Sequence, residues 1–328
     1  MARQGTGAVV LVCVLGLAST VSFAPAAEPE PDESGTWLSA VRVAAEQVGA
    51  AVPGAAEVGG WQKLCPVKVS VDYTLATDYI WRGVNNSEYR GEGREKLNHQ
   101  LGIGFSYDTG TFGTFGGLIW LEWYAGQEGL TANSNDHLQE VDYVAYWSYK
   151  IEPIATTFEA GWIAYQYPQL SGGEGCTNEW YTALRFDDAR LFGTKSNVLN
   201  PYVAFYMDVD DYKRGCWMEL GVSHDVPLAA FECCRDAAVL KDLTITPSFV
   251  LGYDHRYLDK LFRTGAGSSK VAALQYGLDV TYDLAGALGL SQRWGELTVT
   301  GFLRFSDAVR DDLIDDEFWG GVTFAWKW

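Results

Sequence analysis

Basic residues are scarce in this sequence. Its 328 residues include 24 Lys and Arg against 42 Asp and Glu, which gives a formal net charge of −18. Nucleic-acid phosphates are bound by basic surfaces, so this balance argues against DNA or RNA as a partner. We therefore expect no nucleic-acid function.

Long apolar runs are also missing, apart from one near the N-terminus. Arg3 precedes the apolar stretch Ala8–Leu17, and residues 24–26 (Ala-Pro-Ala) fit a small-x-small cleavage site, so residues 1–26 are predicted to be a signal peptide. No run of 18 apolar residues follows, which excludes an ordinary transmembrane helix. Because only helices and closed barrels satisfy the backbone in lipid, any membrane span must be a β-barrel.

Histidines are few, and the four are scattered. A lipid-acting barrel enzyme would need a His such as His99 beside a Ser, but Ser106 points to the opposite face of the same predicted strand. We interpret His99 as a membrane-interface residue and predict no catalytic residue. There is no calcium-loop motif, and Asp208, Asp210 and Asp211 would bind a divalent ion only weakly, so no metal or cofactor is predicted.

Cysteine is sparse too, with five in the mature chain, a number consistent with an oxidising compartment. Cys176 and Cys216 fall in or beside neighbouring loops of the predicted topology and could form a disulfide. Cys65 could pair with Cys233 or Cys234, which would leave one thiol over.

The sequence does contain repeated two-residue alternation. In Val67–Val84 the odd positions are apolar and become aromatic towards one end, while the even positions are mostly polar or charged, as in a strand with two different faces. An even strand number is typical of single-chain bacterial barrels. Eleven further segments alternate: Leu97–Asp108, Phe115–Tyr124, Glu140–Ile151, Thr156–Tyr167, Asn178–Asp187, Tyr202–Asp210, Cys216–Val226, Leu243–Asp254, Val271–Leu284, Leu297–Ser306 and Phe318–Trp328.

We therefore predict an all-β fold for residues 67–328, a closed antiparallel transmembrane β-barrel of about twelve strands. Residues 27–66 form a separate N-terminal extension. It begins with an acidic, Pro-containing linker, and apolar residues then recur at helical spacing, which predicts an amphipathic helix. The helix either rests on the main body in the periplasm or enters the barrel as a plug. The apolar positions are Trp37, Val41, Ala44, Val48 and Val52.

The last segment ends on an aromatic residue, Trp328, on the same face as Phe324 and Trp326. A terminal aromatic on an alternating strand is the usual handle for outer-membrane insertion. The 13 Trp and 18 Tyr residues also fit aromatic girdles at two membrane interfaces. We therefore expect outer-membrane lipid as the environment and the barrel-assembly machinery as a partner of the C-terminal strand. The oligomeric state is left open.

Residues 77–84 read Thr-Asp-Tyr-Ile-Trp-Arg-Gly-Val. This stretch resembles the signature of the TorF-type porin family, in which a similar motif sits at the end of the first strand. The sequence departs from the family at Asn85, where Ser or Thr is usual, and in its long extension before the first strand. The resemblance implies a location in the bacterial outer membrane and a pore-like role, and it implies no chemistry.

The predicted lumen face is strongly charged and mostly acidic, and a net-negative pore concentrates cations and repels anions. The sequence thus predicts a porin-like channel for passive passage of small, preferably cationic or neutral solutes. The alternatives are a lipid-acting barrel enzyme, a structural barrel that anchors the envelope, and a narrow barrel filled by its own ion pairs. The candidate lumen and constriction residues are Asp72, Asp78, Arg82, Glu140, Asp142, Glu179, Arg185, Asp279 and Arg304.

Within the motif, Asp78 and Arg82 are expected to point inward near the outer rim. Their predicted partners are each other or charges on neighbouring strands. Tyr79 and Trp81 occupy the odd, apolar positions, so they are expected to face lipid in the aromatic girdle.

Overall fold

The computed structural model describes residues 67–87, 97–124, 138–168, 176–211, 214–265, 267–291 and 294–328. The predicted signal peptide, the predicted amphipathic helix and Cys65 lie outside the described residues. None of the helices in these ranges is long and apolar enough to cross a membrane.

Within these ranges, twelve long strands form one antiparallel sheet in which each strand pairs with its neighbours in the chain. The sheet closes on itself because the first strand pairs with the last, with Val71 opposite Trp326. The predicted closed twelve-stranded barrel is confirmed. Its strands are β1 (Val67–Ala76), β2 (Asn98–Asp108), β3 (Thr114–Tyr124), β4 (Leu138–Ile151), β5 (Thr156–Gln166), β6 (Cys176–Phe186), β7 (Tyr202–Asp208), β8 (Cys216–Ser223), β9 (Leu243–His255), β10 (Ser269–Asp283), β11 (Glu296–Ala308) and β12 (Glu317–Lys327).

Short elements lie between the strands. The α-helical turns are Ala189–Phe192, Glu232–Arg235, Tyr257–Leu261 and Leu284–Ala287, and the 3₁₀ turns are Glu152–Ile154, Leu228–Ala230 and Leu240–Asp242. Two-residue strands are formed by Ile80–Trp81, Val84–Asn85 and Val226–Pro227. We call the end at which β1 begins and β12 finishes the terminal end, and the opposite end the loop end.

Pro247 lies inside β9, where a residue without an N–H group interrupts a ladder. On its β8 side the pairing breaks at this point: Ser248 lies opposite Ser223, and the next pair joins Ile245 to Val226. The Pro247 carbonyl accepts a hydrogen bond from the His224 N–H at 3.1 Å. The missing N–H of Pro247 therefore falls where the pairing with β8 is already interrupted.

Alternation along the strands sorts the side chains into an inner and an outer set. The outer set is apolar and largely uncovered by protein: Phe105 is 53 % exposed and Leu220 is 54 % exposed. A soluble protein rarely leaves so continuous an apolar surface in water, whereas a bilayer covers it. The exposed outward residues include Ile103, Ile119, Tyr143, Trp180, Leu278, Leu303, Phe318 and Phe324.

The inner wall has two different halves. From β3 to β8 it carries large aromatic side chains that are buried, and on β9, β10, β1 and β2 it includes polar or small residues that stay partly exposed. The first group comprises Trp120, Tyr146, Tyr165, Tyr181, Tyr202, Tyr206 and Trp217, and the second includes Ser70, Asp72, Gln100, Ser248, Gln275 and Gly277. The lumen is thus packed along one side and polar along the other.

Candidate functional site

The chain folds into the barrel directly after β1. Ile80–Trp81 and Val84–Asn85 pair as a two-stranded hairpin, and Arg82 and Gly83 form its turn. Both turn residues have positive φ, +53° for Arg82 and +81° for Gly83, as a type I′ turn requires. We call residues 77–87 the lumen hairpin.

The lumen hairpin corrects the interpretation of Val67–Val84 as a single strand. β1 ends at Ala76, and the alternating residues beyond it belong to the hairpin. Tyr79 and Trp81 are only 5 % and 6 % exposed, so the expectation that they face lipid is wrong. The Tyr79 ring lies 5.4 Å from the ring of Trp120, on the inner wall of β3.

Side chains within the hairpin fix its base. The Ser87 hydroxyl accepts a hydrogen bond from the Tyr79 N–H at 2.6 Å. Asn85 Oδ1 accepts from the Ser87 N–H at 2.9 Å, and Asn85 Nδ2 donates to Glu317 Oε2 on β12 at 3.2 Å. The Asn at position 85, where the TorF-type family usually has Ser or Thr, therefore ties the returning arm to the barrel wall.

At the tip of the hairpin, Arg82 makes a two-pronged ion pair with Glu179 of β6. Arg82 Nη1 donates to Glu179 Oε1 at 2.7 Å, and Nη2 donates to Oε2 at 2.9 Å. The Tyr165 hydroxyl donates to the same Oε2 at 2.9 Å. Both charged side chains are completely buried. Parallel N–H bonds to both carboxylate oxygens give this pair strength and a fixed orientation.

Aromatic rings surround the Arg82 guanidinium. Its central carbon lies 4.4 Å from the ring centroid of Trp81 and 4.4 Å from that of Tyr257. The rings of Tyr206 and Trp217 follow at 4.9 and 5.8 Å. All four distances lie within the range of cation–π attraction, which strengthens when the site is desolvated. One carboxylate and four rings therefore hold a single guanidinium inside the barrel.

Gly83 is required on two grounds. Its φ of +81° is strained for any residue with a Cβ. A Cβ atom there would also lie 2.7 Å from Cδ1 of Ile314, a buried residue of the β11–β12 connection. The glycine of the Arg-Gly pair in the motif is thus explained by the conformation of the turn and by the β11–β12 connection that packs against it.

Two loop-end connections cover the hairpin, and Arg310 joins them. Arg310 Nη1 donates to Asp254 Oδ2 at 2.5 Å, and Nη2 donates to Asp259 Oδ1 at 3.0 Å. Asp254 Oδ1 in turn accepts from the backbone N–H groups of Tyr257 and Leu258, at 2.6 and 3.1 Å. This Arg310 cluster holds Tyr257 in place over the Arg82 guanidinium.

Two of the carboxylates that pair with Arg310, those of Asp259 and Asp312, are held in their charged form. Burial alone would raise the pKa of Asp259, but hydrogen bonds from Arg310, Thr264 and Ser268 hold it well below its ordinary value. Hydrogen bonds from Arg310 and Lys270 lower the pKa of Asp312 to about 2. The Asp259 and Asp312 carboxylates therefore stay ionised through mildly acidic conditions.

The other predicted lumen residues fall into separate groups. Asp279 and Arg304 form a second buried ion pair at 2.5 Å, on β10 and β11. Glu140 and Asp142 are buried on β4, and Glu140 lies opposite Glu122 of β3, which accepts a hydrogen bond from Asn98.

The remaining candidates lie apart from these pairs. Arg185 lies towards the terminal end, 5.8 Å from the ring of Tyr202. Asp72 points inward from β1 and is partly exposed. Asp78 is buried in the first residues of the lumen hairpin, and its Oδ1 has no hydrogen-bond partner among the described residues. Arg82 pairs across the lumen with Glu179 of β6, so both predicted partners, Asp78 and a charge on a neighbouring strand, are wrong.

Two small cavities flank the lumen hairpin. One has about 20 Å³ of room for water and is lined by Arg82, Gly83, Glu219 and Gln275 among others. The other has about 40 Å³ and is lined by residues that include Asp78. A water molecule needs about 10–15 Å³ measured in this way, so both cavities are water-sized. The hairpin therefore narrows the lumen without filling it completely.

The sequence interpretation missed Tyr257, Asp259 and Arg310. They lie in loop-end connections, which carry no periodicity to mark an inward residue. The hairpin turn itself did leave a signal, since the glycine of Arg82-Gly83 interrupts a run of β-favouring residues between Trp81 and Val84.

The cysteine and histidine results are simpler. Cys176 and Cys216 are free thiols, so the predicted disulfide is not formed. They begin β6 and β8, which β7 separates, and two strand spacings of about 4.8 Å exceed the Cα separation that a disulfide spans.

His99 lies on the outer side, its ring stacked 5.4 Å from Trp123 and its Nδ1 2.6 Å from the Tyr73 hydroxyl. In the described ranges, no three His, Cys, Asp or Glu residues are placed to hold a metal ion.

Comparisons with known proteins yield structural likenesses alone. No family model matches the chain. No curated protein matches it either. Among solved structures, a KdgM porin aligns with a TM-score of 0.41 and 13 % identity over 78 % of this chain and 98 % of its own. A NanC porin aligns with a TM-score of 0.41 and 11 % identity, covering 79 % and 98 %. An outer membrane channel from Pseudomonas putida F1 aligns with a TM-score of 0.43 and 9 % identity, covering 84 % and 97 %.

Proposed function

We propose that this protein is a porin-like channel of the bacterial outer membrane for passive passage of small, preferably cationic or neutral solutes. In this proposal the lumen hairpin is the constriction. The observation that carries it is the polar half of the lumen, where inward residues of β9, β10, β1 and β2 remain partly exposed beside the hairpin. In a barrel whose lumen is filled by its own side chains, we would expect these inward residues to be buried as well.

The charge of the lumen supports the preference for cations. Buried or partly exposed inward acids outnumber the inward Arg residues, of which Arg82 and Arg304 are already paired with carboxylates. A surplus of fixed negative charge in a narrow, low-dielectric passage raises the local concentration of cations and repels anions. The inward acids include Asp72, Asp78, Glu122, Glu140, Asp142, Glu159, Asp208, Glu219 and Asp254.

The outer-membrane location is supported by the apolar outer surface and by the closed barrel, the one β-structure that satisfies its backbone in lipid. The resemblance of residues 77–84 to the TorF-type family points to the same location. Insertion through the barrel-assembly machinery by the strand that ends at Trp328 belongs to the same proposal. No catalytic role is assigned to any residue.

Planar-bilayer recording tests the function. Purified protein should give single-channel currents whose reversal potential in a KCl gradient has the sign of a cation-preferring pore. Asp72→Asn removes an inward charge on the polar side and should move the reversal potential towards zero. Asp236→Asn removes the same charge from an exposed terminal-end turn and should not.

Anion preference, or equal effects of the two substitutions, would contradict the proposal. Absence of current from a correctly folded barrel would favour the structural alternative, a closed barrel that spans the membrane without conducting. Heat-dependent gel mobility of the same sample establishes that the barrel is folded.

A further inference from the structure

The wall of the barrel contains a binding site for a guanidinium group, and the chain's own Arg82 occupies it. Glu179 supplies two carboxylate oxygens at 2.7 and 2.9 Å from the two terminal nitrogens. Tyr206 and Trp217 supply rings from β7 and β8, and Tyr257 covers the group from the loop end. None of these four residues belongs to the hairpin, so the site would persist if the hairpin moved away.

We propose that this wall site also binds guanidinium-bearing solutes that enter the channel, in competition with Arg82. Arg82 is then an internal occupant that keeps the passage narrow until a solute with the same head group displaces it. The inference rests on the proposed channel function and adds a solute class to it, small organic cations with a guanidinium group.

The geometry selects a guanidinium over other cations. Two parallel N–H bonds to one carboxylate require a planar fork of donors, which a guanidinium has and an ammonium lacks. A guanidinium is also weakly hydrated and lies favourably over aromatic faces, whereas an alkali ion would leave a tight hydration shell behind on entering a site lined by rings. Glu179 and the surrounding rings therefore fit the head group and not merely its charge.

The hairpin that delivers Arg82 is built to be displaceable. It has two residue pairs, Ile80 with Asn85 and Trp81 with Val84. Arg82 has a φ of +53°, a left-handed conformation that is unfavourable for a residue with a Cβ. Two buried donors, Arg82 Nε and Trp81 Nε1, have no hydrogen-bond partner among the described residues. A free guanidinium would make the contacts with Glu179 without the backbone strain.

A small cavity adjoins Arg82 and marks where a solute could approach the site. The cavity beside the guanidinium is lined by Trp217 and Glu219 of the aromatic wall and by Gln275 of the polar wall. This water-sized cavity therefore lies between the occupied site and the polar side that the channel proposal assigns to solutes, and a guanidinium would have to widen it to pass. The Glu219 carboxylate gives an incoming cation a second negative group along this route.

Chemical complementation of Arg82→Ala tests the inference. The variant leaves Glu179 without its guanidinium and should conduct more than the wild-type channel. Millimolar guanidinium chloride or ethylguanidinium should then block the variant's current, and methylammonium should need at least about tenfold more. Adding Glu179→Gln to the variant should abolish this preference.

Arg304→Ala is the matched control, because it also removes an inward Arg from a buried carboxylate, Asp279. Among the described residues, Phe302 is the ring beside that guanidinium, at 5.2 Å, in place of the four rings around Arg82. It should show no preference for guanidinium over methylammonium. Arg82→Lys provides a second variant that keeps the charge inside the barrel. Because an ammonium cannot make the paired bonds, guanidinium should change the current of Arg82→Lys at a lower concentration than it changes the current of the wild type.

The outcomes separate the two proposals. Equal block of Arg82→Ala by guanidinium and methylammonium, or a preference that survives Glu179→Gln, would overturn the guanidinium site and leave the channel intact. Absence of current from the folded wild type and both Arg82 variants would overturn the channel proposal and this inference with it.

Discussion

Replacing Glu179 by Gln tests whether the ion pair holds the lumen hairpin in place. The substitution keeps the size and shape of the side chain but removes the charge that compensates Arg82. Both partners are completely buried, with N–O distances of 2.7 and 2.9 Å. Removing one partner of a buried pair costs about 3–5 kcal/mol, because the other charge stays buried and uncompensated. Since about 1.4 kcal/mol is a factor of ten, the ratio of undocked to docked hairpin should rise by a factor on the order of 100 to 3,000.

Trypsin offers a direct assay, because it cleaves after Arg and the Arg82–Gly83 bond is protected while the turn is inside the barrel. When hairpin motion is faster than cleavage, the cleavage rate follows the undocked fraction. Glu179→Gln should therefore be cut at Arg82 about 100-fold or more faster than the wild type. In bilayers the same variant should spend more time in a higher-conductance state.

Asp279→Asn is the control, since it removes the partner of Arg304 on the opposite wall and touches none of the groups that hold Arg82. Cleavage of Glu179→Gln within about threefold of the wild-type rate would refute the assignment of the ion pair as the hairpin's anchor. Equal acceleration by Asp279→Asn would show that the substitution acts by loosening the barrel as a whole.

Two further predictions concern the turn and its cover. Gly83→Ala should destabilise hairpin docking by about 1–2 kcal/mol from the positive φ alone, and by more because the added Cβ would lie 2.7 Å from Ile314. Gly193→Ala is the control, since it also has positive φ (+67°) but no atom lies within 4 Å of an added Cβ, so only the backbone strain destabilises it. Trypsin cleavage at Arg82 measures the undocking in Gly83→Ala, and heat-dependent gel mobility checks that Gly193→Ala is folded. Equal protection of Arg82 in Gly83→Ala and the wild type would contradict the prediction. The Arg310 cluster should stabilise the cover above about pH 4, the ordinary Asp range, and lose that contribution as the pH falls through the lowered pKa values of Asp259 and Asp312. Tryptophan fluorescence between neutral and strongly acidic pH should therefore change at lower pH in the wild type than in Arg310→Gln, and coincident curves would show that Arg310 does not set the acid limit.

The barrel could be predicted from the sequence because each strand carries its own local signal. β2 was predicted as Leu97–Asp108 and begins one residue later, at Asn98. Along such a strand, polar inward residues alternate with apolar outward residues, because one face contacts lipid over the whole length of the strand. Neither a ligand nor a distant segment is needed to detect it.

The hairpin was missed because its alternation continues the parity of β1. Tyr79 and Trp81 stand at odd positions like Val69 and Val71, and an aromatic residue suits a lipid interface as well as a packed lumen. Only contacts with residues distant in sequence distinguish a lipid-facing position from a lumen-facing one. Arg82 pairs with a residue 97 positions away, and no local pattern specifies such a pairing.

The Arg82–Glu179 pair is also a cross-brace for the barrel. The hairpin extends from β1, and Glu179 lies on β6, with four strands between them on one side of the circle and six on the other. Backbone ladders fix the circumference of a closed sheet, but a ring of fixed circumference can still flatten into an ellipse. A tie anchored on two nearly opposite points of the ring resists that flattening under lateral pressure from the bilayer. When the hairpin leaves, the barrel therefore gains both a wider opening and a freer cross-section.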